Sequence, residues 1–386
     1  MTAVDKKQEP RNLIELIKRL RENGVPEEKY KDYMDRFLET KARKKGIPLY
    51  GNFELTPLCN LDCKMCYVHL SEKSFSSEEL MPKNIWKDLI DQAYDSGMRH
   101  ASLTGGECLT YPGFDDVYLH LYGYRIKPSV LSNGVMLDKK IDLFKAYPPE
   151  MIQVTVYGSD DDSYERVTGR RVFEKVHRNL IMLKENRIPS KVSVTPNSFL
   201  EEDVYPLLEL LKKMEMPFNI NANLIPPRKN TGRSVHDVSV DEYVKIFKYR
   251  AEMEHHEFNG TELSELPDES HGGKKKYGMI CGAGRSSFGI RYDGKMCLCL
   301  SLGDDIAVDV LESGFSEAWK KINNIANNYP RPEECGDCIY FDRCLPCIAM
   351  HQNAPIPGHC DPRICERTKK LMSIGFIPVP KLSTEK

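Results

Sequence analysis

Three cysteines in the run Leu55–Tyr67 carry the most reactive chemistry in the chain. Cys59, Cys63 and Cys66 are spaced C-x3-C-x2-C, directly behind a short apolar segment. Thiolates ligate the irons of an iron–sulfur cube, and four of them would close all four corners. Three leave one iron open to a substrate or a cofactor. The competing reading is a zinc knuckle, which calls for a fourth ligand, and His69 stands close by in sequence. A second group of cysteines fills the last hundred residues. Cys281, Gly294 and Cys299 are spaced C-x12-G-x4-C, and Cys297 forms a C-x-C with Cys299. Cys335, Cys338, Cys344 and Cys347 are spaced C-x2-C-x5-C-x2-C, and Cys360 and Cys365 close the series. Such C-x2-C pairs serve zinc ribbons as well as iron–sulfur sites.

Composition narrows the setting. The chain has 386 residues, enough for two domains, with a formal net charge of −2 and a pI near 6.6, so it lacks the basic footprint of a nucleic-acid binder. Mean hydropathy is −0.49, no apolar run is long enough to span a bilayer, and the charged start MTAVDKKQEPR is not a signal peptide. These features predict a cytoplasmic protein without membrane or nucleic-acid partners. Thirteen cysteines in that compartment argue for metal rather than disulfides.

The elements that must position these residues alternate. Leu13, Ile14, Leu16, Ile17 and Leu20 fall at helical spacing up to Gly24, and a second helix is predicted from Pro26 to about Lys45. The two helices read as a structural cap over the mouth of the barrel that the following strands imply, with a substrate-docking arm as the alternative. A strand through Phe53 and Leu55 then leads into the cysteine loop. Further strands are predicted at His100–Thr104, Pro128–Leu131, Met151–Tyr157, Lys191–Thr195 and Phe218–Leu224. Helices at Met81–Ser96, Phe114–Tyr124, Leu137–Ala146, Phe173–Glu185 and Glu202–Met214 fill the gaps. Six strand–helix units imply an α/β fold with parallel pairing, an open partial (β/α)6 TIM barrel. The expected division is an N-terminal helical segment (1–50), the barrel (51–230), a linker (231–280) containing a helix near Val240–Met253, and a cysteine-rich domain (281–386). His255-His256 in the linker reads as solvated surface.

Cys59, Cys63 and Cys66 resemble the cluster motif of the radical S-adenosylmethionine (radical SAM) enzymes. The resemblance implies an open iron that chelates SAM, and an electron that splits SAM into methionine and a 5′-deoxyadenosyl radical. Gly105, Gly106 and Glu107 at the end of the second strand resemble the family's GGE motif, with Glu107 toward the SAM ammonium. By the same resemblance Ser132 and Asn133 would contact the SAM ribose, Thr155 would lie against SAM, and Tyr67 joins the cofactor-binding set. Met65 departs from the aromatic residue often found before the third cysteine. Cys108 reads as a small buried side chain, and Arg166, in the loop SDDDSYERVTGRR, as surface.

The C-terminal cysteines are similar to the SPASM extension of these enzymes, which carries two auxiliary 4Fe–4S clusters. The resemblance implies Cys281, Cys299 and Cys347 for the first and Cys335, Cys338, Cys344 and Cys365 for the second, with Cys360 competing for its last position. Cys297 could complete the first or leave an iron open. The last gap, Leu345-Pro346, is one residue shorter than usual and weakens the place of Cys347. The implied cofactors are SAM and three 4Fe–4S clusters, and the implied electron donor is a reduced flavodoxin or ferredoxin. The implied activity is radical modification of a ribosomally made peptide by crosslinking, oxidation or epimerisation. Leu300, where sulfatase maturases carry an acid, lowers formylglycine formation among the choices. The alternatives are a small-molecule substrate (sugar, amino acid or tetrapyrrole) and, outside enzymes, an iron–sulfur electron carrier or a zinc-structured binding module. The catalytic acid or base is not named by the sequence.

Overall fold

The computed structural model describes residues 10–377 apart from 69, 71–74, 76–78, 222–223, 226, 229–235, 254–276, 303–305, 345–346, 352–353, 355 and 357. His69, the His255-His256 pair and most of the loop LPDESHGGKKKYG lie outside the described residues. Helices α1 (Leu13–Glu22) and α2 (Tyr30–Lys45) come first. Asn12 caps α1 through its side chain, and Gly46 ends α2 in the left-handed region.

Six parallel strands come next: β1 (Tyr50–Glu54), β2 (His100–Thr104), β3 (Ser129–Ser132), β4 (Met151–Val156), β5 (Ser190–Val194) and β6 (Phe218–Ile220). Helices α3 (Lys83–Asp95), α4 (Phe114–Gly123), α5 (Ile141–Ala146), α6 (Asp161–Thr168), α7 (Phe173–Glu185) and α8 (Val204–Lys213) connect them. This is the expected partial barrel, with strands in the order 6-5-4-3-2-1. Strand composition explains its two faces. In β4, Ile152, Val154 and Val156 are buried, and Val154 shares the space beside Gly134 with Val176 of α7. The alternate residues Met151, Gln153 and Thr155 are only half-buried. One face thus packs on helices and the other lines a more polar interior, as a site-bearing barrel requires. Trp86, fully buried on α3, meets Phe53 of β1 edge-on at 6.0 Å.

Two expectations need correction. The segment SDDDSYERVTGRR, read as a loop, contains α6. Asp160 accepts from the Ser163 amide and Ser163 answers to the Asp160 amide, a capping box that starts a helix in an acidic run. The sixth strand stops at Ile220 rather than Leu224, among the described residues.

After α9 (Val240–Met253) the chain returns to the sheet. Strand β7 (Ser287–Ile290) pairs in parallel with β1, and β8 (Lys295–Cys297) and β9 (Ala307–Asp309) add antiparallel strands beyond it. The barrel sheet therefore runs on into the cysteine-rich region. Helices α10 (Val310–Ser313), α11 (Phe315–Asn328), α12 (Phe341–Cys344), α13 (Ile348–His351) and α14 (Pro362–Ser373) complete the order. Phe288 joins the two parts, packing on Phe53 at 5.9 Å and Phe315 at 5.0 Å. The N-terminal helices dock on the same side, where Trp319 Nε1 of α11 donates to the Gly46 carbonyl at 2.7 Å. Among the described residues no helix is long and apolar enough to cross a membrane.

Candidate functional site

The cysteine loop leaves the C-terminal end of β1 and is tied to the loops after β2 and β3. Gly106 N donates to Thr56 O at 2.7 Å, and Glu107 N to Leu58 O at 2.9 Å. A Cβ at Gly105 would stand 2.5 Å from Thr56 O, and one at Gly106 would stand 2.4 Å from Leu58 O. The two glycines are thus required by their approach to the backbone that delivers Cys59.

Glu107 is 0 % exposed. Its carboxylate accepts from Ser132 Oγ at 3.0 Å, the Asn133 amide at 2.7 Å and the Leu109 amide at 3.1 Å. Burial raises its pKa against the pull of these donors. The Cys108 thiol also approaches Oε1, at 3.8 Å, whereas Oε2 takes only the Asn133 amide among the described residues, so Oε2 keeps a position for a cationic ligand. Asn133 completes the knot, with Nδ2 donating to Asn60 Oδ1 at 2.7 Å and to Cys59 Sγ at 3.5 Å. The Leu61 amide donates to the same sulfur at 3.4 Å. Two N–H donors on one sulfur suit a thiolate. Burial, with Glu107 adding, nevertheless pushes the Cys59 thiol up to about 12. Iron would supply the positive charge that releases this proton.

Gly105, Gly106, Glu107, Ser132 and Asn133 are therefore brought together at the cysteine loop. Thr155 stands half-buried at the end of β4, in register with Ser193 of β5. Tyr157, two residues further along the chain, was not singled out by the sequence. Burial and then the neighbouring Cys63 raise its hydroxyl, which hydrogen-bonds Cys63 and also faces Cys66 and Cys59. Cys108 is buried, its thiol donating to Leu131 O at 3.3 Å. Arg166 pairs with Asp203 and is half-exposed, in keeping with a surface role.

Tyr67 keeps different company. Burial and then Glu54 raise its hydroxyl, and its further neighbours are Arg228, Cys299 and Cys66. It thus stands between the barrel loop and the C-terminal cysteines. Beside it lies a buried ion pair that sequence reading missed. Arg228 Nη1 and Nη2 each donate to a Glu54 oxygen at 2.8 Å, and Nη2 also donates to Leu300 O at 3.1 Å. The side chains are 4 % and 1 % exposed. A lone arginine in a proline-rich loop has no periodicity that would announce it.

The C-terminal cysteines sort into two neighbourhoods. Cys299 lies within electrostatic reach of Cys281 and Cys347, and Cys347 within reach of Cys281. Cys335, Cys338, Cys344, Cys360 and Cys365 form the other group. Cys344 and Cys347, three residues apart, fall in different groups. Burial pushes Cys335 and Cys344 up to about 11 and Cys360 to about 12. The Ser301 amide donates to Cys299 Sγ at 3.4 Å, as the Leu61 amide does to Cys59. Cys297, the last residue of β8, is buried opposite Gly289 of β7, its thiol donating to Gly289 O at 3.5 Å, with Cys299, Glu54 and Arg228 as charged or polar neighbours. None of the thirteen cysteines is in a disulfide. Among the described residues no three His, Cys, Asp or Glu side chains stand where they would hold a single metal ion; a cube takes its thiolates on separate irons.

Residues 53–214 match the family profile described as the Radical SAM superfamily, so the chain carries a radical SAM domain. It is similar to the antilisterial bacteriocin subtilosin biosynthesis protein AlbA of Bacillus subtilis (strain 168), with 24 % identity over 44 % of this chain and 37 % of that protein. It is also similar to the sporulation killing factor maturation protein SkfB of the same organism, with 26 % identity over 52 % of this chain and 48 % of that protein. The chain thus matches less than half the length of either relative. Among solved structures, anSMEcpe with bound AdoMet and Cp18Cys peptide superposes with a TM-score of 0.67 and 17 % identity, covering 85 % of this chain and 97 % of that one. That likeness is one of fold.

Proposed function

With a radical SAM domain at residues 53–214 as the premise, we propose that the chain cleaves SAM reductively and uses the resulting radical to modify a ribosomally made peptide. The observation that carries this reading is the knot of Cys59, Glu107, Ser132 and Asn133 at the strand ends. Cys59, Cys63 and Cys66 would hold a 4Fe–4S cube with one iron for SAM. When bound, the cube supplies one electron, which splits SAM into methionine and a 5′-deoxyadenosyl radical that takes a hydrogen atom from a substrate C–H bond.

The chain's own part is placement. Glu107 offers its remaining acceptor to the SAM ammonium, while Ser132, Asn133 and Thr155 line the wall where the nucleoside would lie. Tyr67 and the Glu54–Arg228 pair close the space toward the C-terminal cysteines and exclude water from the radical. Cys281, Cys299 and Cys347 would hold one auxiliary cluster, and Cys335, Cys338 and Cys344 with Cys365 or Cys360 another. These would accept the electron that a net oxidation leaves behind. A peptide substrate is supported by the roles that the names of AlbA and SkfB give and by the peptide bound to anSMEcpe. A reduced flavodoxin or ferredoxin is the proposed donor.

The test is anaerobic reconstitution with iron and sulfide, then dithionite and SAM, with 5′-deoxyadenosine as the readout. The wild type should form it, and the C59A/C63A/C66A variant should form none. A fully loaded wild type that leaves SAM intact would sink the proposal. A short peptide encoded beside the gene should then lose two hydrogens, or take up solvent deuterium at one α-carbon, by mass spectrometry.

A further inference from the structure

Two arginines stand at the Cys281 loop, one from the N-terminal helices and one from the loop itself. Arg43, in the last turn of α2, pairs through Nη2 with Glu39. This pair lies over the cysteine loop, since a Cβ at Gly282 would meet Glu39 Oε1 at 3.2 Å and Arg43 Nε at 3.6 Å. Arg285 sits four residues on in the same turn, which is pinned by three amides (Arg285, Ser286 and Ser287) donating to Gly282 O. Its Nη1 donates to Met279 O at 3.2 Å, and no carboxylate pairs with it among the described residues. The Nε atoms of both arginines are shut off from water with no acceptor.

This arrangement is unfavourable as it stands. Of these two neighbouring cations only Arg43 has a carboxylate partner among the described residues, and two buried N–H groups are unmet, which is destabilising. A cluster held by thiolates carries net negative charge and sulfur acceptors on its surface, which is what the two Nε–H groups lack.

We propose that Arg43 and Arg285 are the counter-charges of the first auxiliary cluster, donating their Nε–H groups toward its sulfur and holding its reduction potential up. The inference rests on the reading of Cys281, Cys299 and Cys347 as that cluster's ligands. It gives the N-terminal helices an electrostatic task in addition to their packing on α11. Both arginines act through the cluster, so they are positioning residues.

The test uses the full chain, reconstituted anaerobically, with iron content and an EPR-monitored redox titration as readouts. In R43Q, R285Q and the double variant, one cluster signal should shift to lower potential while the others stay. The reduced-to-oxidised ratio at the wild-type midpoint should fall about tenfold in the double variant. R285K, which keeps the charge, should recover most of the shift and guards against a fold defect. Unchanged midpoints in variants that keep full iron would overturn the assignment of the arginines. A C281A/C299A/C347A variant holding as much iron as wild type would overturn the cluster reading and the inference together, which separates the two failures.

Discussion

Cys59 is placed by a parallel sheet: the ends of β1, β2 and β3 are tied together by Gly106, Glu107 and Asn133, and the strands rest on fully buried Phe53, Trp86 and Val154. Cys335, Cys344 and Cys347 instead sit on or beside turns and helices of four residues. Elements that short do not hold themselves, since a helical nucleus alone is unfavourable. On the proposed reading, the barrel presents its ligands before metal arrives, whereas the segment from Glu333 to His351 would be closed by its metal.

The strongest way to break this comparison is to withhold iron. Apo protein should exchange backbone amides rapidly over residues 333–351 and slowly in β1–β5, and loading should protect only the first of these strongly. Equal protection of both regions without iron would dissolve the distinction.

A smaller but still large effect is expected where the two regions meet. R228L leaves the Glu54 carboxylate buried without its partner and should lower stability by about 3–5 kcal/mol in denaturant unfolding, as E54L should from the other side. The double variant E54L/R228L should recover much of that loss. Loss of SAM cleavage in a stable double variant would tie the pair to function as well.

Within the barrel site, N133A removes the donor to Cys59 Sγ and Asn60 Oδ1. Retention of the first cluster or SAM cleavage should fall about 10–100-fold, as is usual when a ligand loses its outer support. Unchanged iron and activity would make Asn133 turn chemistry only. The least effect belongs to the exposed Arg171–Asp162 and Arg171–Glu165 pairs; R171A should change stability by under about 1 kcal/mol and leave cleavage alone.

The same contrast governs what could be read from the sequence. Strands β2 to β5 and helices α7 and α9 were legible within one or two residues, because apolar periodicity and flanking turn residues mark elements of that length. Strands β7 to β9 were not, since they have three or four residues each and β7 finds its partner β1 more than two hundred positions away. The α6 helix hid in an acidic run whose capping box reads equally as a turn. At the barrel site, spacing pointed to Glu107, Ser132 and Asn133, which the fold gathers beside the cysteine loop. It was silent on Tyr157 and on the Glu54–Arg228 pair, which only the folded chain brings together.

Cys344 and Cys347 test the account most directly, being three residues apart yet in the electrostatic reach of different groups. Iron should be counted in the reconstituted wild type, in C299A/C347A and in C338A/C344A. The account predicts about twelve irons in the wild type and about eight in each variant, with different EPR signals lost from the two. Loss of the same signal from both variants, or a wild type with about four irons and bound zinc, would contradict it.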